Sequence, residues 1–258
     1  MDMLANYRKE REAFKNLLRH DNTHRVLLLR GESGMGKTTL LRAFEELLDS
    51  DNVCYVPFDC KDIITLEEVF YRIGSFLNWQ TLPHLTECIS ALENPEVHVT
   101  MNHNWLVGIR NHLKIVLENT QRQDHSVQLV DALTEDLKKL QRSLLILFDT
   151  YEKMDSDVKL WTDLFLARIS LFSQVRVVIA GQQLPEFDKV GLKRFTQHFK
   201  LQGVPLVEDW LPYLQSQQRT TEDVEERKFL KLICGSCKGH PKEIAKIIDG
   251  LATTGEFA

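Results

Sequence analysis

Residues 25–41 read Arg-Val-Leu-Leu-Leu-Arg-Gly-Glu-Ser-Gly-Met-Gly-Lys-Thr-Thr-Leu-Leu, and no other stretch narrows the possible folds as far. Val26 to Leu29 is an unbroken apolar run, the composition of a parallel strand buried on both faces. Leu40, Leu41, Phe44, Leu47 and Leu48 then recur at helical spacing. Between them Gly31, Gly34 and Gly36 lack a Cβ, so the backbone curls with its N–H groups turned inward, the conformation that wraps a phosphate. Gly-x4-Gly-Lys-Thr is a short string, and the strand before it and the helix after it give it specificity over a plain glycine turn.

Chemistry assigns roles within this loop. Gly31, Ser33, Gly34, Met35, Gly36, Lys37, Thr38 and Thr39 are the expected nucleotide contacts. Lys37 brings a mobile charge to the β- and γ-phosphates, the Thr38 hydroxyl suits Mg²⁺, and the helix N-terminus adds a favourable field.

With 43% hydrophobic residues, the 258-residue chain buries a substantial core, as one α/β domain or one with a helical appendage. No window approaches the run of about 18 apolar residues that a membrane span needs. Residues 1–11 are charged and lack an apolar signal core, so the expectation is a cytoplasmic protein with no membrane partner. Five irregularly placed cysteines point to reduced thiols. A formal charge of −5 argues against nucleic acid as a partner, because phosphate binding is dominated by cation contacts.

In chain order, residues 3–19 predict an amphipathic helix with Leu4, Tyr7, Phe14, Leu17 and Leu18 on one face. Tyr7 lies just before the glycine loop and is a candidate to cover an adenine ring, the plain alternative being core packing. Val53 to Asp59 reads as a second strand, and Leu66, Val69, Phe70, Ile73 and Phe76 mark the helix after it. Residues 82–142 read as a helical insertion with pieces at 85–92, 105–117 and 125–142, the last seamed by Val130, Leu133, Leu137 and Leu140. Trp161, Leu164, Phe165, Arg168, Ile169 and Phe172 mark another helix. Strands follow at 175–181 and, shorter, at 195–201. The tail reads as helices at 208–217, 222–234 and 241–251, the last striped by Ile244, Ile247, Ile248 and Leu251.

Ser143-Leu-Leu-Ile-Leu-Phe-Asp149 is the second motif, an apolar strand with a carboxylate at the C-terminal edge, where ligands sit in open α/β sheets. Behind a phosphate loop this is a Walker B pattern, with Asp149 sharing the Mg²⁺ with Thr38. Glu152 is the candidate to orient or deprotonate the attacking water, against the plain alternative of a solvated loop acid. Lys37, Asp149 and Glu152 form the expected catalytic set, and Gln182, after the strand ending at Gly181, stands where a γ-phosphate sensor would. Cys234, Cys237 and His240 together, or His84 with Cys88, are weaker metal candidates because further ligands are not spaced nearby.

The order of glycine loop, Asp-Thr-Tyr-Glu after an apolar strand, Ala-Gly-Gln at the next strand end and Gly239-His240-Pro241 opening a late helix resembles the STAND class of P-loop ATPases, which includes NACHT and NB-ARC switch domains. The resemblance covers most of the chain and implies a three-layer P-loop NTPase fold of the ASCE type. Its parallel sheet would run 5-1-4-3-2, with the core at residues 1–203 and a small helical lid at 204–258. It also implies ATP or ADP with Mg²⁺, nucleotide contacts from His240 and Pro241, and slow hydrolysis driving a signalling switch, as in bacterial defence. A protein partner or effector in trans is expected, with homo- or hetero-oligomers open. Gln182 departs from the arginine often found at that position. A nucleotide-binding scaffold without catalysis is the competing reading, and an AAA+-like ATPase regulator acting on nucleic acid a third. The lack of an Asp-Glu pair at the end of the Walker B strand counts against that third reading.

Overall fold

The computed structural model describes residues 7–48, 52–62, 64–93, 103–118, 122–185, 192–216 and 224–254. In chain order the elements are α1 (Arg8–Leu17), β1 (Val26–Arg30), α2 (Lys37–Glu45), β2 (Val53–Asp59) and α3 (Leu66–Leu77). The helices α4 (Pro83–Glu93), α5 (His103–Glu118) and α6 (Arg122–Lys138) occupy the stretch expected to be an insertion. They are followed by β3 (Ser143–Asp149), α7 (Ser156–Ala167), β4 (Val175–Gly181), β5 (Thr196–Lys200), α8 (Leu211–Ser216), α9 (Val224–Ser236) and α10 (Pro241–Thr254).

All five strands are parallel and ordered β2-β3-β4-β1-β5, which is the expected 5-1-4-3-2 read from the other edge. Helices cover both faces, giving three layers. The two-residue period of a strand divides the core: Val26 and Leu28 join the side packed by α3, α7 and the insertion, whereas Leu27 and Leu29 join the side of α1, α2 and the C-terminal helices. Central β4 is buried along its whole length. It nevertheless carries Arg176, whose guanidinium donates to the carbonyls of Leu17 (2.6 Å), Ser173 (2.9 Å), Val175 (3.0 Å) and Arg19 (3.2 Å). Burial pushes its pKa down to about 10, and the four acceptors compensate the lost hydration while fixing the end of α1 to the sheet.

The insertion extends the core past α3. Arg110 on α5 reaches Glu67 (2.9 Å) and Glu68 (2.8 Å), and Asp136 on α6 accepts from the Leu85 N–H (2.9 Å) and the His84 N–H (3.1 Å) at the start of α4. The His84 ring also donates through Nδ1 to Asp136 at 2.6 Å, tying the α4–α6 junction, and among the described residues no group of three or more His, Cys, Asp or Glu side chains is placed to hold a metal ion.

Four details differ from the sequence expectation. Helix α1 begins at Arg8, and Tyr7 precedes it in a left-handed conformation (φ 64°); Leu4 lies outside the described residues. Phe76 is 53% exposed because Ile73 and Leu77, four residues apart, carry the buried stripe. Helix α7 ends at Ala167, and the buried Ile169 and Phe172 belong to the short turn after it. On α10 Ile244 and Ile248 are buried while Ile247 is 38% exposed. Among the described residues no helix is long and apolar enough to cross a membrane.

Candidate functional site

Five parallel strands all end on one edge, and the loops leaving β1, β2, β3 and β4 meet there. A cavity of about 470 Å³ opens between them and the start of α10. Of the residues expected at a nucleotide, Ser33, Gly34, Gly36, Lys37, Thr38, Thr39, Asp149, Glu152, Gln182 and Pro241 line it. Gly31 and Met35 line a second hollow on the other side of the loop, also bordered by Gln182. His240 lines neither; its Nε2–H donates to the Ser33 carbonyl at 3.0 Å. Its Nδ1 is buried without a hydrogen-bond partner, and among the described residues no group of three or more His, Cys, Asp or Glu side chains is placed to hold a metal ion, Cys234 and Cys237 included.

The loop carbonyls are engaged one after another. Ser33 O accepts from His240, Gly34 O from the Lys242 N–H (3.2 Å) and Met35 O from the Tyr7 hydroxyl (2.7 Å). Bonding these carbonyls to protein donors offsets their negative ends beside a bound anion. Two of the three donors come from the C-terminal helical segment and one from the N-terminus, so distant parts of the chain shape the cradle.

Lys37 is buried, with Nζ donating to Gly31 O (2.8 Å) and Glu32 O (2.9 Å). Burial lowers its pKa, against the upward pull of Glu152 and Asp149. Asp149 is 5% exposed, and its Oδ2 accepts from Thr38 Oγ1 at 2.6 Å. Its Oδ1 is buried without a hydrogen-bond partner. A buried carboxylate oxygen with no protein donor, beside a threonine hydroxyl, is an oxygen donor set that suits a hard divalent cation such as Mg²⁺.

Thr150 follows in a left-handed conformation (φ 58°), an uncommon state for a β-branched residue, and turns the chain into a 3-10 turn at Tyr151–Lys153. That turn presents Glu152, whose Oε2 accepts the Gln182 N–H at 2.9 Å. The water-orienting candidate is therefore bonded to the backbone amide of the sensor candidate.

Lys61 after β2, Lys153, Lys242 and the aromatic residues Trp210 and Tyr213 also line the cavity and were not found from the sequence. Lys61 follows a strand end, so the rule that ligands gather at C-terminal strand edges could have nominated it. No local pattern announces the aromatic pair. Trp210 donates through Nε1 to Val204 O (2.9 Å), Tyr213 donates to Asp249 (2.7 Å), and the two rings meet edge to face at 5.8 Å. With Tyr7 they give the cavity three aromatic lining residues alongside Lys37, Lys61, Lys153, Lys242, Asp149 and Glu152.

Fold and site together define a P-loop NTPase. A family model described as AAA domain matches residues 19–190, more than half of the chain, and the chain belongs to that family. It is thereby a P-loop ATPase of the AAA+ kind, and the family implies nucleotide binding with a divalent metal. The match is coarser than the STAND resemblance, and it stands nearer to the AAA+-like alternative, the missing Asp-Glu pair notwithstanding. No curated protein matches the chain. Among solved structures, Cdc6p from Pyrobaculum aerophilum is 15% identical at a TM-score of 0.45, over 83% of this chain and 50% of that one. The HORMA:CdnC:Trip13 complex of E. coli MS115-1 contains a chain 12% identical at 0.46, over 88% and 72%. The Drosophila ORC structure bound to AT-rich DNA and Cdc6 contains one 11% identical at 0.41, over 86% and 63%. The chain thus spans half the length of the Cdc6p chain.

Proposed function

We propose that this protein binds ATP with Mg²⁺ in the cavity, hydrolyses it slowly, and uses the nucleotide state to dock or release residues 204–258 as a lid. The observation that carries this reading is the pair of bonds from His240 Nε2 and Lys242 N–H to the carbonyls of Ser33 and Gly34. Any shift of the phosphate loop is felt at the first turn of α10.

The loop amides hold the phosphates, and Lys37 leaves its two carbonyls to meet charge on the γ-phosphoryl oxygens. Thr38 and Asp149 would hold the metal, which supplies neutralisation of phosphate charge. Glu152 orients the attacking water once Gln182 releases its carboxylate, and the Gln182 side chain faces the γ-phosphate. Tyr7, Trp210 and Tyr213 enclose the adenine. A switch of this build acts on a protein partner or effector in trans or on further copies of itself, as a STAND-like signalling or defence role requires. The net charge of −5 supports protein over nucleic acid as that partner.

The Glu152–Gln182 bond specifically favours a second reading, a scaffold that binds nucleotide without turning it over. Phosphate release with Mg²⁺ separates the two. Slow release in wild type, lost in Lys37→Ala and reduced at least about 100-fold in Glu152→Gln, fits the switch. Tight ATP binding with no release in wild type establishes the scaffold instead.

A further inference from the structure

Tyr7 is an aromatic residue in the left-handed region (φ 64°), a conformation that costs an L-residue free energy and persists where surrounding contacts hold it. Those contacts converge on two segments. Its hydroxyl lies 2.7 Å from Met35 O on the phosphate loop and 3.1 Å from Gln202 O on the irregular chain that leads from β5 to the C-terminal helices. Its ring packs beside Gly36 and lines the cavity.

A phenol has one proton to donate, so these two carbonyls compete for it. Burial raises the Tyr7 pKa, and the group stays a donor throughout the working pH range. Rotation about the Cζ–O bond alone moves the proton from one acceptor to the other, with no rearrangement of the buried ring. The chain around Gln202 is bonded at both ends: Leu201 N–H donates to Arg30 O (2.7 Å), and Val204 N–H donates to Gly239 O (2.6 Å), one residue before His240. A displacement at Gln202 therefore reaches the turn that touches Ser33 and Gly34.

We propose that Tyr7 is a positioning residue that couples the nucleotide state of the phosphate loop to residues 201–206, its hydroxyl passing between Met35 O and Gln202 O as the loop adjusts to phosphate. The coupling rests on the nucleotide-binding reading given above. Phosphate binding that moves the Met35 carbonyl frees the proton for Gln202 and tightens the connecting chain, and nucleotide release reverses this.

Tyr7→Phe keeps the ring and removes only the hydroxyl. Titration with ATP·Mg and hydrogen exchange with and without ATP·Mg are run on wild type and on this variant. Wild type is expected to slow exchange across residues 201–206 when ATP·Mg is added. In Tyr7→Phe the affinity falls about 2- to 10-fold, as loss of one net hydrogen bond implies, and the nucleotide-dependent change at 201–206 disappears. The unliganded melting temperature moves by only a few degrees. A structural role alone would lower stability and leave the nucleotide-dependent change intact, and that outcome overturns the proposal. So does a wild-type protein that binds ATP·Mg without any change at 201–206, a result that needs no variant. A wild type that binds no nucleotide removes the cavity reading itself and is told apart by the titration.

Discussion

Gly34→Ala and Gly36→Ala form a matched pair that isolates the contact between α10 and the phosphate loop. Both glycines are left-handed, with φ of 83° and 76°, so each alanine incurs a similar backbone penalty of about 1–2 kcal/mol. Their surroundings differ. A Cβ at position 36 meets only the Tyr7 ring at 3.7 Å, ordinary van der Waals contact. At position 34 it would overlap His240 Cε1 and approach His240 Nε2 and Lys242 Cβ, each at 3.1 Å. His240 has to move, forfeiting its bond to Ser33 O at about 1 kcal/mol, and the crowding adds about 1–2 kcal/mol. This second cost exists only while α10 is docked. Gly34→Ala should thus weaken docking by about 2–3 kcal/mol beyond Gly36→Ala, a factor of roughly 30–150. Peptide-level hydrogen exchange over residues 239–244 reads it directly: protection falls in Gly34→Ala and stays near wild type in Gly36→Ala. Equal protection in the two variants, at equal loss of melting temperature, would refute the argument that His240 and Lys242 hold the loop.

Arg176→Leu strips donors from four carbonyls, and calorimetry should show a loss of about 3 kcal/mol, near 6–12 °C in melting temperature; an unchanged melting temperature would mean that α1 is held by its apolar face alone. Thr38→Ala leaves both Asp149 oxygens without a donor and should cost about 1–3 kcal/mol in the nucleotide-free protein. Most of that loss should vanish when Asp149→Asn is already present, which a double-mutant cycle measures. Lys37 supplies a pH test. Burial holds its pKa below the usual 10.5, so just under that value the unfolded chain binds more protons and unfolding free energy gains an upward slope with pH. Urea titrations between about pH 8 and 10 should show this slope reduced in Lys37→Met relative to wild type; identical slopes would place the ammonium in water.

The parallel sheet was legible because strands buried on both faces appear as continuous apolar runs, and β2, β3 and β4 have the bounds their runs suggest. Helical faces were less legible at their margins. Phe76 and Ile247 sit at the edge of a three-four stripe, where spacing alone does not say which neighbour finds a partner. The phosphate loop, Asp149 and Glu152 carry their chemistry in local strings. Lys61 follows the end of β2 and was within reach of the strand-edge rule, whereas Trp210, Tyr213 and Lys242 reach the cavity only through tertiary convergence, which no local pattern encodes. Tyr7 was singled out for its ring, yet its left-handed backbone and its two carbonyl acceptors depend on segments 28 and 195 residues away. His240 bonds the backbone of the loop and does not line the cavity, a contact between segments 207 residues apart that no local string announces.

Equilibrium titration of the purified protein with ATP·Mg by calorimetry, on wild type and Lys37→Ala, tests the central claim most directly. Saturable one-to-one binding in wild type, weakened at least about 10-fold by Lys37→Ala, is the result the geometry predicts. Absence of binding in wild type, or equal affinity in both proteins, would contradict the assignment of this cavity to a nucleotide.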